Sequence, residues 1–211
     1  KAQHILDLGC GVGSVGLLTL HRLENKGALL TGIEAQEVSY NLVKKTVVLN
    51  NLAERVTLLH GDIRDPNILE EGSRFELVTG SPPYKPLGTG HVSPVPQRAA
   101  ARMELRGSVF DYCRSAKRWL APKGRFCFVM AAGDQRIEEG PVAAGLCVIK
   151  RLDVVFRHGD KPMVAVMVCA HAGEENLGDR HDTVFSVRGN DGEWTAEYLQ
   201  FRSEMGMPSR A

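Results

Sequence analysis

The chain has no surplus of either charge, no long apolar run, no paired cysteines and few aromatic residues. Its 26 Lys and Arg face 25 Asp and Glu, for a formal net charge of +1. That balance excludes a histone-like or generally basic nucleic-acid binder, although it leaves room for a local basic face. The apolar runs are strand-sized, too short for a membrane-spanning helix, and no signal peptide is visible. The five cysteines, Cys10, Cys113, Cys127, Cys147 and Cys169, are odd in number and form no CxxC pair. Neither a disulfide framework nor a zinc site is expected, and no other metal is called for. Cys127, Cys147 and Cys169 sit in or beside apolar stretches and read as buried free thiols, which suits a reducing interior and a cytoplasmic location. The length of 211 residues suits one compact domain. The chain opens at Lys1 and enters an apolar strand without a start Met, so a preceding segment is expected in the natural protein.

What is present is an alternation of short β-rich runs and helical stretches, the pattern of a mainly parallel sheet wound by helices. Strands are predicted at His4–Leu8, Ala28–Ile33, Val56–Leu59, Glu76–Thr79, Arg125–Met130, Ile149–Phe156 and Met163–Ala170. Helices are predicted at Val15–Leu23, Val38–Asn50 and Ser108–Leu120, the last ending at the breaker run Ala121-Pro122-Lys123-Gly124. The final two strands are separated by too few residues for a crossover helix and must form an antiparallel hairpin. The expected fold is α/β and Rossmann-like, a mostly parallel seven-stranded sheet with an antiparallel C-terminal hairpin, over residues 1–172. Residues 173–211 form an extension packed on the same domain, with a strand-like Thr183–Val187 and a short helix capped by Thr195. The stretch Lys85–Arg98, rich in Pro and Gly, is the longest irregular segment.

Leu6-Asp7-Leu8-Gly9-Cys10-Gly11-Val12-Gly13 places three glycines between a strand and a helix, where backbone can turn tightly and approach a ligand. Gly11 to Gly16 also match GxGxxG, so a nicotinamide oxidoreductase is an alternative. Two acids favour S-adenosyl-L-methionine instead. Asp7 can attract the amino group of the methionine moiety, whereas it would repel a pyrophosphate. Glu34, at the end of the second strand, can accept both ribose hydroxyls. Asp62, after the third strand, could accept the adenine amine while Ile63 packs on the ring. The expected cofactor contacts are Asp7, Gly9, Cys10, Gly11, Gly13, Glu34, Ala35, Asp62, Ile63 and Ser81.

The fourth strand runs into Ser81-Pro82-Pro83-Tyr84, the expected catalytic residues. An adenine amine is a poor nucleophile because its lone pair is delocalised into the ring. Acceptors bonded to its two hydrogens favour the localised form, and the Ser81 hydroxyl and the Pro82 carbonyl are candidates. Two prolines stiffen the turn, and Tyr84 offers a face for a planar base. Downstream, Lys85, Arg98, Arg102 and Arg106 begin a local basic excess that continues through Arg114, Lys117, Arg118, Lys123 and Arg125. Lys150, Arg151, Arg157 and Lys161 extend it, as a face for the phosphates of RNA. Arg102 could alternatively pair with Glu104 or Asp7. Trp119 lies at helical spacing from Cys113 and Ala116 and reads as core.

Asp-Leu-Gly-Cys-Gly, Glu34, the Asp62 segment and Ser-Pro-Pro-Tyr resemble the class I amino-methyltransferases with an (Asn/Asp/Ser)-Pro-Pro-Tyr motif. Within them, Ala101-Arg102-Met103-Glu104, Lys150-Arg151, Lys161-Pro162 and the tail Gly192-Glu193-Trp194-Thr195-Ala196-Glu197-Tyr198 are similar to the bacterial tRNA(Val) adenosine N6-methyltransferases, which modify position 37 beside the anticodon. In that family the motif usually begins with Asn, where this chain has Ser81. The resemblance implies methylation of the N6 amine of adenine in RNA, with tRNA as partner. Other expectations from the same residues are a DNA adenine or protein glutamine acceptor, or a non-catalytic partner protein that keeps the fold.

Overall fold

The computed structural model describes residues 2–23, 25, 27–86, 88–89 and 93–208. Lys1 and, within the segment expected to be irregular, residues 87 and 90–92 lie outside the described residues. In chain order the elements are β1 (His4–Leu8), α1 (Ser14–Arg22), β2 (Leu29–Glu34), α2 (Glu37–Leu49), β3 (Val56–His60) and β4 (Phe75–Gly80). These are followed by α3 (Pro96–Arg102), a 3-10 turn (Glu104–Arg106), α4 (Val109–Trp119) and β5 (Leu120–Ala131). The last elements are α5 (Arg136–Ala143), β6 (Leu146–Arg157), β7 (Val164–His171), β8 (His181–Arg188) and α6 (Ala196–Glu204).

The strands form one sheet in the order β3-β2-β1-β4-β5-β7-β6-β8. β1 to β5 pair in parallel, and β7 inserts antiparallel between β5 and β6. The expected hairpin is therefore present. The sheet has eight strands, one more than expected, because β8 adds parallel to β6. Parallel strands end on the same edge, so the exits of β1, β2, β3 and β4 lie side by side.

Alternation along the strands divides the core. Leu6 and Leu8 of β1 face a cluster with Val78, Phe126, Phe128, Met130 and the α4 residues Val109, Tyr112, Cys113, Ala116 and Trp119. Ile5 faces the other way, toward Leu20, Leu30, Val43 and Val47 from the α1 and α2 side. Trp119 is thus core, as its spacing indicated. Of the thiols expected to be buried, Cys169 is fully buried, while Cys127 and Cys147 are half-buried; all five are free.

Local chemistry sets the element ends. α4 begins with a capping box in which Asp111 accepts from the Ser108 N–H (2.8 Å) and the Ser108 side chain answers the N3 backbone. Thr195 caps α6, accepting from the Tyr198 N–H at 3.1 Å. Three elements differ from expectation. The breaker run Ala121–Gly124 lies inside β5, where Lys123 takes φ 62° and the register against β4 shifts; a bulge accommodates the Pro and Gly without ending the strand. α3 begins at the end of the stretch expected to be irregular, overlapping it at Pro96–Arg98, and runs on to Arg102. α5 forms despite Pro141, its Ile137, Gly140 and Pro141 buried against the core; tertiary packing outweighs a weak local propensity.

Phe126 is fully buried and stacked on Phe128 at 5.1 Å between ring centroids. Phe126→Ala is expected to cost about 3–5 kcal/mol of unfolding free energy, measured by denaturant titration; a loss below about 1 kcal/mol would show that this layer repacks freely.

Candidate active site

The glycine turn after β1 is held by two buried carboxylates. Asp7, 2% exposed, accepts from the Gly16 N–H at 2.9 Å and from the Thr79 hydroxyl at 2.8 Å. Glu34, 5% exposed, accepts from the Gly11 N–H at 2.8 Å and from the Gln36 N–H at 2.6 Å. One acid joins β1 to α1 and β4, and the other joins the turn to the end of β2. Each carboxylate oxygen has two acceptor sites, so both acids keep capacity for a ligand.

Two glycines in the turn answer to specific constraints. Gly9 has φ +62°, and a Cβ there would lie 2.2 Å from the Tyr112 hydroxyl. At Gly80, a Cβ would lie 2.8 Å from Cδ1 of the same Tyr112 ring. Tyr112, on α4, therefore wedges between the glycine turn and the exit of β4. Nothing in the motif pattern pointed to it; only its buried position on α4 does.

A cavity of about 410 Å³ opens beneath this turn. Eight of the expected cofactor contacts line it: Asp7, Gly9, Cys10, Gly11, Glu34, Ala35, Ile63 and Ser81, with Pro83 and Tyr112 beside them. A second cavity of about 360 Å³ is lined by Ser81, Pro82, Tyr84, Lys85, Ala101 and Arg102. Ser81 and Ala101 belong to both walls, so the two spaces adjoin at the start of the Ser-Pro-Pro-Tyr segment. Tyr84 is 39% exposed, available to a planar ligand, and partial burial raises its hydroxyl pKa above the ordinary value.

Four of the expected residues are placed away from the contacts expected of them. Gly13 does not line the first cavity; a Cβ there would lie 2.7 Å from Val43 Cγ2 and 2.9 Å from Leu17 Cδ1, so its role is to let α1 approach α2. Asp62 also stays outside that wall, paired with Arg64 at 2.6 Å, and that partner holds its carboxyl below the usual range. Arg106 lines the first cavity and donates to the Ala35 carbonyl at 3.2 Å. Arg102 does not pair with Glu104 or Asp7: Glu104 binds Arg136, and Asp7 accepts from Thr79 and Gly16.

Lys85, Arg98 and Arg102 do come together, around a depression that also contains Ser93 and Met103. Much of the remaining basic excess is spent internally: Arg114 pairs with Asp111, Arg125 with Glu174, and Arg151 with Glu138 and Asp153. Among the described residues, no group of three or more His, Cys, Asp or Glu is placed to hold a metal, and no helix is long and apolar enough to cross a membrane.

Above the first cavity runs a strap made of α3 and the 3-10 turn. Gln97 donates to Ser39 Oγ on α2 at 3.1 Å, and Ala100 and Ala101 form part of the wall. Backbone bonds fasten the strap to the Tyr84 side: Lys85 N–H to the Arg102 carbonyl and Glu104 N–H to the Lys85 carbonyl, both 3.0 Å.

The family described as methyltransferase small domain matches residues 1–136. A tRNA1(Val) (adenine(37)-N6)-methyltransferase of Glaesserella parasuis is 24% identical over 203 residues, covering 95% of this chain and 81% of that protein. A protein of the same name from Shewanella amazonensis is 25% identical, covering 89% of this chain and 78% of its own. Among solved structures, a predicted O-methyltransferase of Agrobacterium tumefaciens superimposes with a TM-score of 0.64 at 18% identity, covering 97% of this chain and 90% of that one. An S-adenosylmethionine-dependent methyltransferase of Clostridium acetobutylicum gives 0.53 at 12% identity, covering 81% and 84%. These two carry the fold: a class I methyltransferase sheet.

Burial raises the Asp7 carboxyl from 3.8 to about 6, with the nearby Glu34 adding to the shift and the Thr79 and Gly16 hydrogen bonds opposing it. The native state therefore holds this proton more tightly than the unfolded chain. The associated stability is complete below the unfolded value of 3.8 and is lost as pH rises through about 6. Relative to Asp7→Asn, the wild-type chain is expected to lose about 3 kcal/mol across that window. Denaturant unfolding at stepped pH measures it, and a pH-independent difference would contradict the burial argument.

Proposed function

This chain belongs to the methyltransferase small-domain family, and from that premise we propose that it transfers the methyl group of S-adenosyl-L-methionine to the N6 amine of an adenine in RNA, with tRNA as the substrate. The observation that carries the proposal is the meeting of two cavities at Ser81 and Ala101, one walled by buried acids and the other by Tyr84, Lys85 and Arg102.

The first cavity fits the cofactor in size and donor chemistry. Its volume of about 410 Å³ lies within the range of about 300–1,000 Å³ usual for small-molecule sites. Asp7 and Glu34 place acceptor oxygens at separate positions in the wall, suited to an ammonium group and to ribose hydroxyls, and Gly9 and Gly11 keep the floor clear of side chains. Ile63 supplies an apolar contact for a base, and Arg106 closes that side through the Ala35 carbonyl.

Bound S-adenosyl-L-methionine supplies an activated methyl group, so the chain needs no strong general base. Its own residues bind and orient the acceptor. The Ser81 hydroxyl oxygen and the Pro82 carbonyl accept the two hydrogens of the amine and favour its localised lone pair. Both prolines are buried, which keeps that carbonyl preorganised. The Tyr84 ring stacks on the base, while Lys85, Arg98 and Arg102 neutralise flanking phosphates. A tRNA substrate is supported by the name shared by the two curated relatives, and it implies a cytoplasmic location. Residues 173–211, which include the edge strand β8 of the sheet and the helix α6, act as an extension of the catalytic domain.

Incubation with labelled cofactor and separate pools of tRNA, DNA and protein, followed by nucleoside mass spectrometry, tests the acceptor. N6-methyladenosine in tRNA is expected; label confined to DNA or to protein glutamine would replace the RNA assignment. Glu34→Ala should weaken cofactor binding in calorimetry by about 10–100-fold. Tyr84→Ala should lower kcat/KM for RNA by about 10–100-fold while sparing that binding. Lys85→Ala and Arg102→Ala should each raise the RNA KM and reduce its dependence on salt by roughly one phosphate contact; unchanged constants would move RNA contact elsewhere.

A further inference from the structure

Arg136 stands just beyond β5, at the start of α5, and belongs to none of the sequence motifs. Its side chain is 19% exposed. Nε donates to Asp134 Oδ1 at 3.0 Å and Nη2 to Asp134 Oδ2 at 2.6 Å, a two-pronged clamp that fixes the plane of the guanidinium. The outward edge serves the acceptor site. Nη1 binds the Glu104 carboxylate of the strap, and Nη2 reaches the Tyr84 carbonyl at 3.3 Å. Glu104 and Asp134 are themselves 12% and 20% exposed, so these charges meet in a poorly solvated place. The paired acids raise the Arg136 pKa above its ordinary value and keep it charged.

We propose that Arg136 is a positioning residue that locks the Tyr84 loop and the strap into one wall of the acceptor cavity. The role presupposes the methyl-transfer function proposed above. The path is short and continuous. Tyr84 is followed by Lys85, whose N–H and carbonyl are both bonded to the strap, at Arg102 and Glu104 respectively, each at 3.0 Å. Glu104 returns to Arg136, which holds the Tyr84 carbonyl. The ring closes on itself and includes Tyr84, Lys85 and Arg102, three of the residues that line the second cavity. Two backbone bonds alone leave the loop a hinge at Tyr84; the guanidinium removes it by holding Tyr84 and Glu104 at a fixed separation. Lysine cannot replace it, since one ammonium point charge cannot satisfy a planar clamp on Asp134 and two further acceptors.

Hydrogen exchange and kinetics on Arg136→Ala, Arg136→Lys and Glu104→Gln test the proposal. In Arg136→Ala, the amides of Lys85 and Glu104 should exchange roughly tenfold faster, while those of β5 keep their protection. For that variant kcat on RNA should fall about 100-fold, the effect of a small misplacement of reacting groups, with the cofactor dissociation constant within about twofold. Arg136→Lys should recover only part of the loss. Glu104→Gln, which keeps the side-chain shape and guards against a folding failure at Arg136, should lose roughly tenfold in kcat. Unchanged exchange at Lys85 and Glu104 in a folded variant, or faster exchange with unchanged kcat, overturns the positioning role. Absence of transfer to RNA by the wild-type chain counts against the proposed function instead, and the exchange measurement then decides the role of Arg136.

Discussion

Two carboxylates pulled out of water at the exits of β1 and β2 are the constraint on which the site depends. A buried charge is costly unless it is hydrogen-bonded, and here the donors are the backbone amides of the glycine turn and of the residues beside it. Gly11 is tethered to Glu34 and Gly16 to Asp7. The turn is thereby given a shape, and the acids are given partners, by the same bonds. Desolvation still outweighs those bonds at Asp7, whose carboxyl remains raised to about 6. A cationic ligand group arriving beside it would relieve that penalty, so the electrostatic strain is directed toward binding.

The acceptor side is organised differently. Among the described residues no acid lines its cavity wall; its shape comes from proline stiffness in Ser81-Pro82-Pro83-Tyr84 and from the closed ring through Lys85, the strap and Arg136. Tyr112 links the halves, since its ring touches the space that side chains at Gly9 and Gly80 would fill. A substitution in α4 can therefore disturb both cavities without being part of either motif. Ser81 and Ala101, shared by both walls, are the places where a change of side-chain volume would alter the junction itself.

The parts of this arrangement legible in the sequence were those carried by local rules. Short β-rich runs gave away the strands, three glycines marked the turn, and the short Arg157–Pro162 link required a hairpin. Asp7, Glu34 and Ser81–Tyr84 could be found because each ends a strand, and strand ends in a parallel sheet share an edge. Where local rules and packing compete, the sequence misled. The Ala121–Gly124 run read as a breaker, but a bulge at Lys123 kept β5 intact, and α5, for which no helix was predicted, is held by burial of Ile137 despite Pro141. The eighth strand was visible as a strand-like run, yet its place beside β6 rests on pairing between residues about 30 apart, such as Lys150 with His181.

Charge was the least legible feature. Arg102, Arg106, Arg114, Arg125 and Arg151 all count equally in a tally of basic residues, and only folding sorts them. Arg106 turns to a backbone carbonyl over the first cavity, Arg114, Arg125 and Arg151 are taken up by carboxylates, and Arg102 stays at the acceptor wall. Arg136 had no motif to mark it, because its partners Glu104 and Tyr84 lie 32 and 52 residues away. The sequence by itself determined the fold class, the glycine turn and the strand-end placement of Asp7, Glu34 and Ser81–Tyr84, since backbone conformation and burial pattern follow from neighbouring residue types. The tertiary structure alone decided which charges pair, which residues wall each cavity and what holds them there, because those depend on contacts between segments that the chain keeps far apart.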